Sequence, residues 1–434
     1  MNQIKYIISY TYINLFILLI ASYAYGQYEA KEHHNPNKTV DEINNLFDSL
    51  QLTSGIKSQD DYIKMYLGYK LSESLFVEKG FKNYFYDMFL PYSSFVGEYE
   101  ETLEIYNRKV SSRDNYTKED SLEMSLYQTV NAKDLLLRIA DTCRIIIINE
   151  AHHIPNHRII TTELLKDLYE KGFRYFAAET ISNETGIKDS LFKNANYPEL
   201  WTGYYTMEPL YGDLIRQALK TGYKIIPYEK PTDSKSEREF EMAKNLSKVF
   251  EEDKNAKILI HCGYAHIKKT WMAGYLERLT GLNSFRIDQT LMMECSKEEY
   301  MNKYYQLVNK KYNLTEPVFL TKGDGDYSFK SDGFADAVLF LPKTKYVNGR
   351  PDWMSMKGYR KPYKIKLSKD INEENILIQA FYENENTETA VPADMILTRK
   401  GVNEYTLMLP SGKYNIVYRK TGNIILEKKN IEVK

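Results

Sequence analysis

The spacing of apolar positions changes twice along the chain. After a polar stretch at 28–40, Ile43, Leu46, Phe47 and Leu50 recur at helical spacing, and Asp60-Asp61 open a second amphipathic stretch through Tyr66, Tyr69 and Leu71. The pattern breaks at 111–119. It resumes from Lys118 to Ala140, where Leu122, Leu126, Val130 and Leu135–Leu137 predict one further helix. At Ile145 the period switches. Ile145-Ile146-Ile147-Ile148 is a β-branched run of the kind buried on both faces of a parallel sheet. Strands are expected again at Arg174–Ala178, Tyr223–Tyr228, Lys257–Cys262, Ser284–Asp288 and Asp336–Leu341, with helical stretches between them. Gly172, Gly222 and Gly281 stand where three of those helices should stop. This alternation predicts an α/β core: a mainly parallel sheet with helices on both faces. Beyond Tyr359 the signal is purely β, with short strands around Ile365, Ile376–Ala380, Met395–Thr398, Tyr405–Leu409, Tyr414–Tyr418 and Ile424–Glu427. Close spacing with Pro- and Gly-containing turns predicts a small β-sandwich.

The division that follows is a signal peptide at 1–26, a helical region at 27–130, an α/β domain at 131–350 and a β-sandwich at 360–434. The signal rests on Lys5, an apolar run from Ile13 to Ala21 that is too short to span a bilayer, and Ala24-Tyr25-Gly26 before Gln27. The mature chain is therefore expected outside the cytoplasm, in the periplasm, on the outer surface or secreted. No second long apolar run predicts a membrane span.

Charge and composition narrow the function. The 434 residues hold 58 Lys and Arg against 59 Asp and Glu, a net charge of -1, which argues against a nucleic-acid partner. Three cysteines far apart (Cys143, Cys262 and Cys295) make neither a disulfide framework nor a zinc-finger spacing. The 38 tyrosines are first of all packing residues.

The chemistry lies at the ends of the predicted strands. The first runs into Asn149-Glu150-Ala151-His152-His153, the second ends at Glu179, the third at Glu229, and the fourth runs into His261-Cys262-Gly263-Tyr264-Ala265-His266. In an open α/β sheet the carboxyl edge of the strands is where ligands bind. A single histidine there is more simply a helix cap or a satisfied core residue. The convergence of Glu150, His152 or His153, Glu179 and His266 on one edge is better explained by a site. Such a set can act as a general acid/base pair on water. The same residues, His152, His153, Glu179 and His266, can instead hold a divalent metal ion. No GxSxG, P-loop, Rossmann glycine or HExxH motif occurs.

These segments, in their order, resemble the erythromycin-esterase-like superfamily, which includes the ChaN-like haem-binding proteins and the TIKI/TraB group. IIIINEAHHIPNHR is similar to the family's strand with its glutamate and histidine, and LLKDLYEKGFRYFAAE to its helix and strand ending in glutamate. WTGYYTMEPLYGDLIRQA matches its Trp-Glu-Arg segment through Trp201, Glu208 and Arg216. SEREFEMAKNL is similar to its RxxxMAxN helix through Arg238, and KILIHCGYAHI to its terminal histidine strand. The resemblance covers about 140–345. It implies a catalytic centre of Glu150, His153, Glu179 and His266, with Glu208, Arg216, Arg238 and Glu229 binding substrate. Asn149 departs from the pattern, standing where the family has glycine. His153 suits the esterase register and His152 the GxxH register. The expected function is an exported hydrolase that activates water to cleave an ester or similar bond in a small molecule. The alternatives are a ChaN-like protein that binds haem or another small ligand, and a TIKI-like metal-dependent peptidase acting on peptides. N-terminal sequencing of the exported protein is expected to begin at Gln27; a chain still starting at Met1 overturns the cleavage reading.

Overall fold

The computed structural model describes residues 36–181, 196–230, 232, 234–323, 329, 334–368, 371 and 373–434. The expected signal peptide lies outside the described residues. Among these, no helix is long and apolar enough to cross a membrane.

The N-terminal region is helical as expected: α1 (Pro36–Ser49), α2 (Asp61–Glu78), α3 (Lys82–Phe95) and α4 (Tyr99–Lys109). Their interfaces are aromatic. Phe47 meets Phe76 at 4.5 Å between ring centroids, Phe76 meets Phe85 at 4.7 Å, and Tyr69 meets Tyr92 at 5.1 Å. Buried tyrosines still need a partner for the hydroxyl. Tyr62 donates to the Met207 carbonyl at 2.8 Å and Tyr69 to that of Leu52 at 3.2 Å.

The single helix expected over 118–140 is instead three elements. These are α5 (Lys118–Ser125), β1 (Gln128–Asn131) and α6 (Ala132–Thr142). Leu122 and Leu126, which carried the apolar stripe, are 71% and 61% exposed and so supply no packing face. Local chemistry punctuates the segment more strongly than period does. Thr117 and Asp120 form a capping box for α5, and the Asn131 side chain caps α6 through the Asp134 N–H. Between them β1 pairs antiparallel with Val318–Thr321.

The core sheet is parallel and six-stranded. It contains β2 (Ile145–Glu150), β3 (Tyr175–Ala178), β4 (Lys224–Ile226), β5 (Ile258–Gly263), β6 (Ser284–Asp288) and β8 (Ala337–Val338), with β7 (Val318–Thr321) left to pair with β1. The order is β4-β3-β5-β2-β6-β8. Only part of the strand expected at Asp336–Leu341 joins this sheet; Phe340 bridges to Val318 instead. Alternation along β2 splits two cores. Ile146 and Ile148 face α7 (His157–Glu170) and α8 (Pro209–Thr221), while Ile145 and Ile147 face α9 (Lys235–Glu252) and α10 (Met272–Thr280).

After α11 (Lys303–Tyr312) and a short hairpin of β9 (Tyr346–Val347) and β10 (Arg350–Pro351), the chain turns to antiparallel sheets. One pairs β11 (Arg360–Lys366) with β14 (Glu404–Pro410). The other has β12 (Leu377–Tyr382), β13 (Asp394–Leu397), β15 (Gly412–Lys420) and β16 (Ile424–Val433) in the order β13-β12-β15-β16. Ile365, Leu407, Ile378 and Ile416 share one core between them. These sheets are bound to the α/β core through buried charge. Arg360 reaches Asp213 of α8 at 2.9 Å, and Arg216 of α8 reaches Glu385 at 2.7 Å.

A buried ion pair stripped of one partner leaves an uncompensated charge. Arg360→Met is therefore expected to cost about 3–5 kcal/mol, read as a lowered urea midpoint. Arg360→Met with Asp213→Leu should recover most of that loss.

Candidate functional site

The carboxyl ends of β2, β3 and β5 meet in a buried polar cluster. Glu150, the last residue of β2, is its first centre and is almost fully buried. Arg158, one residue into α7, grips it with Nε on Oε2 at 2.7 Å and Nη2 on Oε1 at 2.8 Å. His152 Nδ1 lies 2.9 Å from Oε1, and His261 Nε2 lies 2.8 Å from Oε2. Burial alone would raise the Glu150 pKa, but Arg158 and the two histidines outweigh it and hold the carboxyl well below its ordinary range. Arg158 also donates to Glu208 at 2.7 Å, so one buried guanidinium serves two buried carboxylates.

Glu179, just beyond β3, is the second centre. It accepts from the Gly263 N–H and faces His266 Nε2 at 3.3 Å and Arg238 Nη2 at 3.5 Å. Arg238 holds Glu229 at 2.9 and 3.0 Å. His266 Nδ1 lies 2.9 Å from Glu239 Oε2, which also accepts from the Met272 N–H at the start of α10. Burial opposes charge on His266, yet the carboxylates of Glu239 and Glu179 on its two sides overcome it and lift its pKa to about 10. Glu179 moves down despite burial, chiefly because of His266. Glu229 moves up: burial raises it, Arg238 pulls against that, and Glu179 adds to it.

Gly263 joins the two centres. A Cβ there would overlap the His152 ring and lie 2.8 Å from Glu179 Oε2. His152 stacks on Tyr205 with centroids 3.7 Å apart and an angle of 12°, and Tyr264 meets it edge-on at 5.3 Å. The ring is thus clamped by aromatics, with Nδ1 on Glu150 and its Cε1–Nε2 edge beside Gly263 and Glu179.

Several expected residues lie apart from this cluster. His153 turns away from the carboxylates, stacks on Tyr106 at 4.7 Å and keeps only Tyr264 Oη near Nδ1, at 3.3 Å. Its buried Nε2 has no hydrogen-bond partner among the described residues, and burial drives its pKa well below the ordinary value. Of the two neighbouring histidines, the geometry brings His152 to Glu150. Arg216 points into the C-terminal sheets, held by Glu385 and the Val391 carbonyl. Glu208 caps α8 through the Tyr211 N–H and pairs with Arg158, with burial raising its pKa against the pull of Arg158. Asn149 is buried and hydrogen-bonded through both side-chain atoms. Its Oδ1 accepts from the Gln289 N–H at 2.7 Å, and its Nδ2 donates to the Tyr264 carbonyl at 2.7 Å and to Asp288 at 3.0 Å. His157 is structural: its Nδ1 accepts from the Ala151 N–H, and burial lowers its pKa to about 3.

Arg158, His261, Glu239 and Gly263 were not picked out as site residues from the sequence. His261 carried a usable signal, because a histidine inside an apolar strand has to find a partner. On β5 it shares a face with Leu259 and Gly263, while Cys262 falls on the opposite one.

The donors do not suit a resident metal. Both nitrogens of His266 face carboxylates, and as an imidazolium it has no lone pair to give. Among the described residues no three His, Cys, Asp or Glu side chains converge as ligands.

Comparison with protein-family models gives no match, and neither does comparison with curated proteins. Among solved structures, that of the type III effector HopBA1 aligns at 12% identity over 40% of this chain and 93% of that one. Its TM-score is 0.29, too low to carry an argument.

The raised His266 pKa fixes the sign of a pH effect. The histidine moves from 6.5 to about 10 on folding, so its ion pairs contribute fully below about pH 6.5 and are lost as pH rises through about 10. The difference in urea midpoint between wild type and His266→Gln is therefore expected to be large at pH 6 and to shrink by pH 10. A difference independent of pH would count against the charged pair.

Proposed function

We propose that the chain is an exported hydrolase of the erythromycin-esterase-like type that activates water to cleave an ester or similar bond. One observation supports this above the rest: the ionised Glu150 carboxylate accepts from His152 Nδ1. A donor at Nδ1 leaves the lone pair of the neutral ring on Nε2. That edge lies beside Glu179 and Gly263, and His152 is the more accessible partner, its side chain 13% exposed against 1% for Glu150. In this reading His152 Nε2 takes a proton from water as the oxygen attacks the carbonyl carbon. It returns that proton to the departing alkoxide as the carbon–oxygen bond breaks. Glu150 holds the ring and stabilises the imidazolium formed in between. His266 and Arg238, each already paired with carboxylates, hold Glu179 beside that edge of the ring.

The test is turnover of para-nitrophenyl acetate and butyrate by the purified protein, with and without chelator. His152→Gln and Glu150→Gln are expected to lower kcat by about 10²–10⁴ with KM little changed, and chelator to have no effect. Hydrolysis that survives both substitutions would sink the assignment. A Soret band without turnover would favour haem binding.

Gly263→Ala offers an independent check. A methyl group there displaces His152 and Glu179 together, so kcat is expected to fall as far as in His152→Gln while the protein stays folded by circular dichroism.

A further inference from the structure

Glu150 has four lone-pair positions and all four are taken. Arg158 Nη2 and His152 Nδ1 share Oε1, and Arg158 Nε and His261 Nε2 share Oε2. Arg158 fixes where the carboxylate sits. His261 decides which contacts remain, because its hydrogen bond occupies Oε2 and leaves Oε1 for His152. The other side of the His261 ring is not idle. Its Nδ1 lies 3.0 Å from Thr161 Oγ1, and both residues are fully buried. Thr161 stands on α7 one turn after Arg158, so the helix that carries the guanidinium also carries the hydroxyl. Tyr211 meets the His261 ring edge-on at 5.6 Å and 81°, which hinders its rotation.

From this geometry we propose that Thr161 and His261 are a positioning pair for catalysis. Thr161 fixes the Nε2–H tautomer of His261, and His261 then holds Glu150 turned toward His152. An ionised carboxylate only accepts, so His261 must present an N–H at Nε2. The lone pair of the neutral ring then lies at Nδ1, where the Thr161 hydroxyl donates to it. In the other tautomer two lone pairs face each other across 2.8 Å, and Glu150 is driven off its alignment with His152. The pair touches no reacting atom; it acts through Glu150. The inference rests on the hydrolase reading for its catalytic consequence, though not for the tautomer itself.

Two measurements test it on the purified protein. The first is the kcat–KM split with para-nitrophenyl butyrate. His261→Gln places an amide N–H near the Nε2 position, so it is expected to retain most of kcat. His261→Asn and His261→Leu lose the donor and should lower kcat about 10- to 100-fold with KM unchanged. Thr161→Val, isosteric and therefore safest for folding, should lower kcat, and Thr161→Ser should restore it. Equal losses in His261→Gln and His261→Leu, or a loss in Thr161→Ser matching that in Thr161→Val, overturn the proposal. The second is the two-bond ¹H–¹⁵N spectrum of histidine-labelled protein. His261 should show the Nε2–H pattern in wild type and Thr161→Ser, and a shift toward Nδ1–H in Thr161→Val. An Nδ1–H pattern in wild type, or no change in Thr161→Val, overturns it. Absence of ester turnover in wild type would defeat the hydrolase reading, whereas the spectrum still decides the tautomer.

Discussion

The pairing of Glu150 with Arg158 is the constraint around which the rest of the site is arranged. Both charges are buried, and a carboxylate taken out of water costs several kcal/mol unless every lone pair is answered. Arg158 answers two. The remaining two draw His152 from the following loop and His261 from the adjacent strand β5. The second half of the guanidinium then needs its own acceptor, and Glu208 at the start of α8 provides it. One ion pair thus fixes how β2, β5, α7, α8 and the first loop meet. Removing either partner would strand charges on several elements at once.

A division of labour follows from this arrangement. The Glu150 centre is held by two histidine rings and one arginine. The Glu179 centre is different: it is a row of alternating charges, Glu229, Arg238, Glu179, His266 and Glu239. The two approach each other over Gly263, where any side chain would push them apart. In the proposed reading the Glu150 centre orients the base, and the Glu179 centre lines the free edge of its ring. The metal reading asks for free lone pairs on His266, and the flanking carboxylates have claimed both nitrogens.

How much of this was legible in the sequence depends on the length scale of the signal. The central strands of the core sheet, β2, β3 and β5, follow from apolar runs that need no context. The site edge follows too, because Glu150, Glu179, Glu229 and His266 each stand at or just past a strand end. Period alone misread 118–140, where Asn131 and a capping box interrupt an apolar stripe whose first two members, Leu122 and Leu126, are exposed. The choice between His152 and His153 was out of reach, since adjacent loop residues differ only in which neighbours surround them. Tyr205 and Glu150 claim one ring, and Tyr106 claims the other. Arg158 was invisible for a related reason: an arginine one residue into a helix normally reaches solvent, and only the folded chain turns it inward.

Glu208 and Arg216 stood out in the sequence together, and the structure gives them linked tasks on one helix. Glu208 caps α8 and takes the free side of Arg158. Two turns on, Arg216 grips Glu385, and between them Asp213 takes Arg360 from β11. The C-terminal sheets are therefore fastened to the same helix that supports the Glu150 pair. Each of these contacts is buried and charged, so α8 cannot slide or rotate without breaking several of them at once. That gives the β region a physical part in the site without contributing a residue to it: by fixing α8 it fixes Glu208, and through Arg158 the carboxylate that orients His152.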